Sequence, residues 1–261
     1  MSDAPFAKKA LGQHWLNDEV SLEAMCVAAD IQAGDVVLEI GPGMGSLTKL
    51  LVKKAKQVIA VEFDPSLAVS LPSRINADNL EVKQQDILDF DFTTLPKDYK
   101  VVANIPYYLT SHLIRVISET PNQPSTAVLL IQKEVAQRVT ARPGNMSLLS
   151  VTAQFYWQAS AAMEVPAILF TPPPKVDSQI LILERPPKPL FPDVEPKDFF
   201  RLVKAGFSQR RKTLLNSLSA GLSRSRDETQ SLCERASIDS KRRPQTLSLD
   251  EWSNLYKALH T

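Results

Sequence analysis

The passage Val36–Thr48, VVLEIGPGMGSLT, most narrows what this chain can fold into. A short apolar run, Val36–Ile40, ends at glycines 41, 43 and 45, which let the backbone turn sharply and come close to a ligand with no side chain between. Leu47, Leu50 and Leu51 then recur at helical spacing within Ser46–Lys56. The passage reads as strand, tight turn, helix. The alternation continues, with strands expected at Val58–Glu62, Leu80–Gln84, Val101–Ala103 and Ala127–Gln132 and helical stretches between most of them. Buried strands separated by helices require a mostly parallel sheet covered on both faces, an α/β architecture with its ligand at the carboxyl ends of the strands. Ser150–Trp157 and Ser178–Leu183 are rich in β-formers and are expected to close the sheet as an antiparallel hairpin.

The chain changes character near Leu183. Thr171 to Pro196 holds eight prolines, a density that forbids continuous helix and suits a semi-rigid connector. Beyond it, Pro196–Leu222, Ser225–Arg235 and Ser248–His260 read as helices, the last opening on a capping box from Ser248 to Glu251. Two domains are therefore expected: residues 1–183, an N-terminal segment with a ligand-binding catalytic domain, and residues 184–261, the connector with a small helical domain. The formal net charge of +1 hides an asymmetry, because residues 1–183 carry 15 Lys and Arg against 19 Asp and Glu, whereas residues 184–261 carry 15 against 10. Binding answers to local charge, so the C-terminal part is the candidate face for a polyanion.

Other classes are excluded. The longest apolar runs, such as Ala127–Ile131, fall far short of the ~20 residues a membrane span needs. No apolar stretch follows Lys8 and Lys9, so no secretory signal is read and a cytoplasmic location is expected. Cys26 and Cys233 stand far apart, with no Cys or His near them at metal-ligand spacing, which argues against a disulfide framework or a metal site.

The glycines alone serve a packing turn as well as a ligand. Their G-x-G-x-G spacing departs from the G-x-G-x-x-G of dinucleotide folds and favours a ligand without a pyrophosphate. The second strand ends in Glu62, 21 residues after Gly41, where a carboxylate can accept from both hydroxyls of a ribose. Asp86 follows the third strand and can receive an adenine amino group, with Phe63 and Ile87 available to sandwich the ring. Taken singly, each acid reads as a solvated turn residue; at successive strand ends they point together to an adenosine-bearing cofactor.

The fourth strand ends in Asn104-Ile105-Pro106-Tyr107-Tyr108. This arrangement closely resembles the strand-four motif of S-adenosylmethionine-dependent adenine-N6 methyltransferases, in its RNA-type Asn-Ile-Pro-Tyr form. Lys9–Asn17 (KALGQHWLN), Gln132–Val139 (QKEVAQRV), Phe170–Ser178 (FTPPPKVDS) and Ala205–Leu218 (AGFSQRRKTLLNSL) extend the resemblance over nearly the whole chain, to the ribosomal small-subunit adenine dimethyltransferase family, KsgA type. The resemblance implies a Rossmann-like S-adenosylmethionine-dependent methyltransferase domain with a small C-terminal helical domain. The implied activity is N6,N6-dimethylation of two adjacent adenines near the 3′ end of small-subunit (16S) rRNA during ribosome biogenesis.

Chemistry gives the implied residues their roles. An adenine amino lone pair is delocalised into the ring, so the nitrogen must pyramidalise to attack a methyl group. The Asn104 side-chain oxygen and the Ile105 carbonyl are the two acceptors that would aim it, with Asn104 also at the cofactor. Pro106 fixes the turn. Tyr107 would stack on the flipped-out base and, by resemblance, Phe170 would close its other face. Ordinary roles for the same residues are a helix N-cap for Asn104 and core aromatics for Tyr107 and Tyr108. GQHWL resembles the family's Gly-Gln-Asn-Phe-Leu stretch over the cofactor, which implies contacts from His14 and Leu16; His14 and Trp15 depart from that pattern. Met146-Ser147 departs from the Tyr-Gly that family members often carry before LLSV.

Arg210, Arg211 and Lys212 follow Phe207 on a predicted helix and suit RNA phosphates, by charge and by resemblance. Lys241–Arg243 reads equally as a solvated run or a second such contact. The expected partners are the small ribosomal subunit and its rRNA, with no membrane and a monomeric chain. The alternatives are a large-subunit rRNA adenine methyltransferase and a ribosome assembly factor acting mainly by binding; intact Glu62, Asp86 and Asn104 favour retained catalysis.

Overall fold

Aliphatic strands paired through their backbones form the frame. The computed structural model describes residues 12–209 and 211–260, which divide into two units. Lys9–Leu11 of the KALGQHWLN motif and Arg210 lie outside the described residues.

The first unit extends to Ala136 and also includes Gln158–Arg185. In chain order it contains β1 (Trp15–Leu16), α1 (Glu19–Ala28), β2 (Val36–Ile40), α2 (Thr48–Lys54), β3 (Gln57–Glu62), α3 (Pro65–Ile75), β4 (Leu80–Gln84), β5 (Lys100–Asn104), α4 (Thr110–Glu119), β6 (Thr126–Gln132), the start of α5 (Lys133–Val139), β7 (Gln158–Val165), β8 (Phe170–Thr171) and β9 (Ser178–Glu184). Seven strands form one sheet in the order β4-β3-β2-β5-β6-β9-β7. The five from β4 to β6 are parallel, and β9 runs antiparallel to both β6 and β7. β1 and β8 make a separate two-stranded ladder.

Local chemistry sets the helix starts. Asp18 accepts from the Ser21 N–H at 2.8 Å to cap α1, and Asp64 accepts from the Ser66 N–H at 3.0 Å ahead of Pro65 at the start of α3. Met25, Leu51, Val58, Val102, Val128 and Ile180 are fully buried in the core that α1 and α2 cover. The chain enters the sheet at β2, builds outward through β3 and β4, then returns to the other side of β2 with β5. Reversal between β2 and β5 leaves a crevice at the carboxyl ends of the strands, where a doubly wound sheet binds its ligand.

The second unit comprises Gln137–Trp157 and the chain from Pro186 onward. It is helical: α6 (Leu148–Tyr156), α7 (Pro196–Phe207), α8 (Leu214–Leu222), α9 (Arg226–Arg235) and α10 (Leu249–His260). Its centre is aromatic, with Phe155 and Phe199 stacked at 4.7 Å between centroids. Trp252, fully buried, lies so close to Gly206 that a Cβ there would stand 2.3 Å from the indole.

Three sequence expectations are corrected. Ser150–Trp157 is not a strand; α6 occupies it, and the antiparallel partner of β9 is β7. Ser147 and Ser150 form a reciprocal capping box, and Leu148, Val151 and Phe155 share a buried helical face, so capping and packing override β-propensity. That helix also moves 137–157 out of the expected catalytic domain. The second break falls after Arg185, because β9 pairs through Glu184 with Thr126 and Gln158. The expected helix 196–222 is two helices, and Arg211 and Lys212 lie in the loop between them, where the Lys212 N–H closes a turn onto the Gln209 carbonyl at 2.9 Å. Among the described residues, no helix is long and apolar enough to cross a membrane.

Candidate active site

The glycine turn after β2 is built by backbone geometry that side chains resist. Gly41, Gly43 and Gly45 take φ of +69°, +55° and +84°. At Gly45 a Cβ would stand 2.7 Å from Ile75 and 2.9 Å from Leu71, so this glycine also lets α3 pack closely.

Glu62, at the end of β3, holds that turn. One carboxyl oxygen accepts from the Gly43 N–H at 3.0 Å and the other from the Asp64 N–H at 2.9 Å. Burial raises its pKa above the ordinary carboxylate range, while these backbone donors pull it back. The result is an acid of fixed orientation. Asp86, after β4, is half-buried and oriented by the Leu88 N–H, which donates to it at 2.9 Å. Ile87 is buried at 4% exposure while Phe63 is 55% exposed, so one is fixed in the wall and the other has a free ring face.

β5 delivers Asn104 beside Gly41, whose Cβ would lie 3.8 Å from the Asn104 carbonyl oxygen. The Asn104 side chain is half-buried and makes no hydrogen bond among the described residues; it does not cap α4. Ile105 is buried, and the Leu109 N–H donates to the Pro106 carbonyl at 3.0 Å to close the turn. The Tyr107 hydroxyl lies 2.8 Å from the Ser178 hydroxyl, and burial raises its pKa. Phe170 is buried on β8, opposite Leu16 of β1. The His14 ring stacks near Tyr107, and its Nδ1 donates to the Pro172 carbonyl at 2.7 Å.

His14, Leu16, Gly41, Gly43, Glu62, Phe63, Asp86, Ile87, Asn104, Ile105, Pro106, Tyr107 and Phe170, the residues expected from the sequence to serve cofactor and acceptor, line one cavity of about 200 Å³. The sequence reading missed Glu39, which lines it too. Neither of its carboxyl oxygens has a hydrogen-bond partner, and burial raises its pKa to about 8; the Glu62 charge adds to the rise, and nearby Thr48 opposes it without reaching hydrogen-bond geometry. The available signal was a lone acid in an otherwise apolar strand. Tyr108, 66% exposed, stands at the rim.

Arg211 and Lys212 belong to the second unit and are exposed. The Leu214 N–H donates to the Arg242 carbonyl at 2.8 Å and the Leu215 N–H to the Ser240 carbonyl at 3.0 Å, which brings the two basic runs together. Arg242 is committed within the fold, bonded to Glu251 and, at 2.7 Å, to the Thr246 carbonyl. Lys241 and Arg243 remain exposed.

Over residues 6–260 the chain matches the family described as ribosomal RNA adenine dimethylase. It is 42% identical to a protein of Dehalococcoides mccartyi named ribosomal RNA small subunit methyltransferase A, over 95% of this chain and 87% of that one. Its fold is similar to that of a dimethyladenosine transferase from Plasmodium falciparum, with a TM-score of 0.83 at 27% identity, covering 95% of this chain and 98% of the other. It is also similar to the 23S rRNA methyltransferase ErmE, with a TM-score of 0.75 at 28% identity over 95% and 100% of the two chains.

Proposed function

Because the chain belongs to the ribosomal RNA adenine dimethylase family, we propose that it dimethylates N6 of two adjacent adenines near the 3′ end of small-subunit (16S) rRNA with S-adenosylmethionine as donor. The observation that carries this reading is the acidic lining of the cavity: Glu62 and Asp86 line it together with Glu39, whose buried carboxyl gains its charge most readily beside a cation, and no Lys or Arg does among the described residues. Such a wall repels a pyrophosphate and suits a nucleoside bearing a sulfonium and an ammonium group. Orphaned oxygens on buried Glu39 fit a cationic ligand in particular.

S-adenosylmethionine supplies a methyl group on a sulfonium that is already a good leaving group. The residues supply position. Glu62 offers its carboxylate to the ribose hydroxyls, Asp86 accepts from the adenine amino group of the donor, and Phe63 and Ile87 flank that ring. Gly41 and Gly43 let the backbone approach, and Leu16 covers the site. On the acceptor side, Asn104 and the Ile105 carbonyl accept the two N–H groups of the target amine and aim its lone pair. Tyr107 and Phe170 replace the stacking that the base loses when it leaves the RNA. A strong base is unnecessary, because the proton leaves after transfer to an acceptor or water.

Arg210, Arg211 and Lys212 serve the rRNA backbone, joined by exposed Lys241 and Arg243; such contacts add affinity without reading sequence. In this reading the protein acts as a monomer on the small ribosomal subunit in the cytoplasm. The experiment is to incubate it with methyl-labelled S-adenosylmethionine and, separately, unmethylated small subunits, large-subunit RNA and DNA, then to identify the labelled nucleoside. N6,N6-dimethyladenosine from small subunits alone is expected. Label confined to large-subunit RNA would overturn the substrate, and cofactor binding without transfer to any substrate would favour the assembly-factor reading.

A further inference from the structure

Tyr107 and Tyr108 open the single 3-10 turn that follows β5 and meet opposite surroundings. With three residues per turn, consecutive side chains stand about 120° apart, so both rings cannot face inward. Tyr107 is the inner ring, half-buried, with its hydroxyl 2.8 Å from that of Ser178. Tyr108 is the outer ring, exposed at the rim of the same cavity. Among the described residues no ring stacks on Tyr108 and its hydroxyl makes no hydrogen bond. The neighbouring chain leaves the ring uncovered: Gly12, at φ of +61°, has no side chain, and a Cβ there would stand 3.6 Å from Cδ1 and Cε1 of Tyr108. Packing and hydrogen bonding thus give no reason for an aromatic residue at this place.

We propose that Tyr108 is a stacking platform for the base adjoining the target, so that while one of the two adjacent adenines occupies the pocket the other lies on the Tyr108 ring. The proposal rests on the acceptor-pocket reading above. Flipping the target breaks its stack with the neighbouring adenine, and the short sugar-phosphate link between them keeps that neighbour at the mouth of the pocket. A ring at the mouth replaces the stacking the neighbour loses, as Tyr107 and Phe170 do for the target. Phe63, the other exposed aromatic ring in the lining, follows Glu62 and in that reading flanks the donor. Stacking strength differs between bases, so Tyr108 favours a purine beside the target and contributes to the choice of site.

The test measures kcat/KM for methylation of unmethylated small subunits carrying either natural 16S rRNA or 16S rRNA in which one or the other of the two adjacent adenines is uracil, a weaker stacker. Calorimetric titration with S-adenosylmethionine runs in parallel. Tyr108→Ala is expected to lower kcat/KM about tenfold on natural particles and less than about threefold on uracil particles, with donor affinity within about twofold. Tyr108→Phe, which keeps the ring, is expected to match the wild type. Tyr108→Leu, which keeps apolar bulk without an aromatic face, is expected to behave as the alanine variant and stands in for it if that variant fails to fold. Equal losses on both kinds of particle overturn the proposal, as do no loss on either, a comparable loss of donor affinity, or a leucine variant as active as the phenylalanine one on natural particles. Failure of the wild-type protein to methylate natural particles overturns the functional reading and this proposal with it, whereas normal wild-type transfer with an unimpaired Tyr108→Ala overturns the proposal alone.

Discussion

Burial in the cavity wall favours the neutral form of Glu39, and this has a measurable thermodynamic signature. Its pKa rises from 4.5 to about 8 on folding, with burial as the main cause. Between these values the unfolded chain has lost a proton that the folded chain keeps, so this residue lowers stability progressively as pH rises from about 4.5 to about 8. In urea unfolding of cofactor-free protein, Glu39→Gln is expected to gain on the order of 3 kcal/mol relative to wild type between pH 5.5 and pH 8. Parallel pH profiles for the two proteins would contradict it. At Gly45, φ of +84° and the close Ile75 and Leu71 side chains make Gly45→Ala cost about 1–3 kcal/mol, seen as a lowered Tm. The convergence of Glu62, Asp86 and Asn104 was legible in the sequence because each follows a recognisable strand and parallel strands bring their ends to one edge. Glu39 was not, because a mid-strand acid carries no mark of which cavity its side chain lines.

At the scale of elements, α6 rests on its N-terminal cap. Ser147 accepts from the Ser150 N–H at 3.2 Å, and the Ser150 hydroxyl accepts from the Ser147 N–H at 2.9 Å while donating to the Arg138 carbonyl at 2.6 Å. Ser147→Ala is expected to cost about 1 kcal/mol in chemical denaturation, and an unchanged midpoint would show that packing alone holds the helix. Leu148, Val151 and Phe155 carried the helical period in the sequence, yet the β-forming composition around them masked it. The parallel strands were plain because buried runs bounded by turns have few alternatives. The break between α7 and α8 was hidden, since no glycine or proline marks residues 208–213.

The whole molecule separates an acidic cavity in one unit from basic loops in the other, and the division of charge was readable from residue counts. Its boundaries were not, since 137–157 joins the second unit through contacts distant in sequence. Replacing Arg211 and Lys212 together by alanine is expected to weaken binding to small subunits and to flatten its dependence on salt by about one unit of log–log slope per lost phosphate contact, with donor affinity unchanged. An unaltered salt slope would remove this loop from the RNA interface. The most direct measurement compares the wild-type protein with Asn104→Ala, quantifying N6,N6-dimethyladenosine in treated small subunits by mass spectrometry while donor affinity is titrated in parallel. The account predicts dimethyladenosine from the wild type, at least a hundredfold slower formation by the variant, roughly, and donor affinity within about threefold. Formation by Asn104→Ala at the wild-type rate would contradict it.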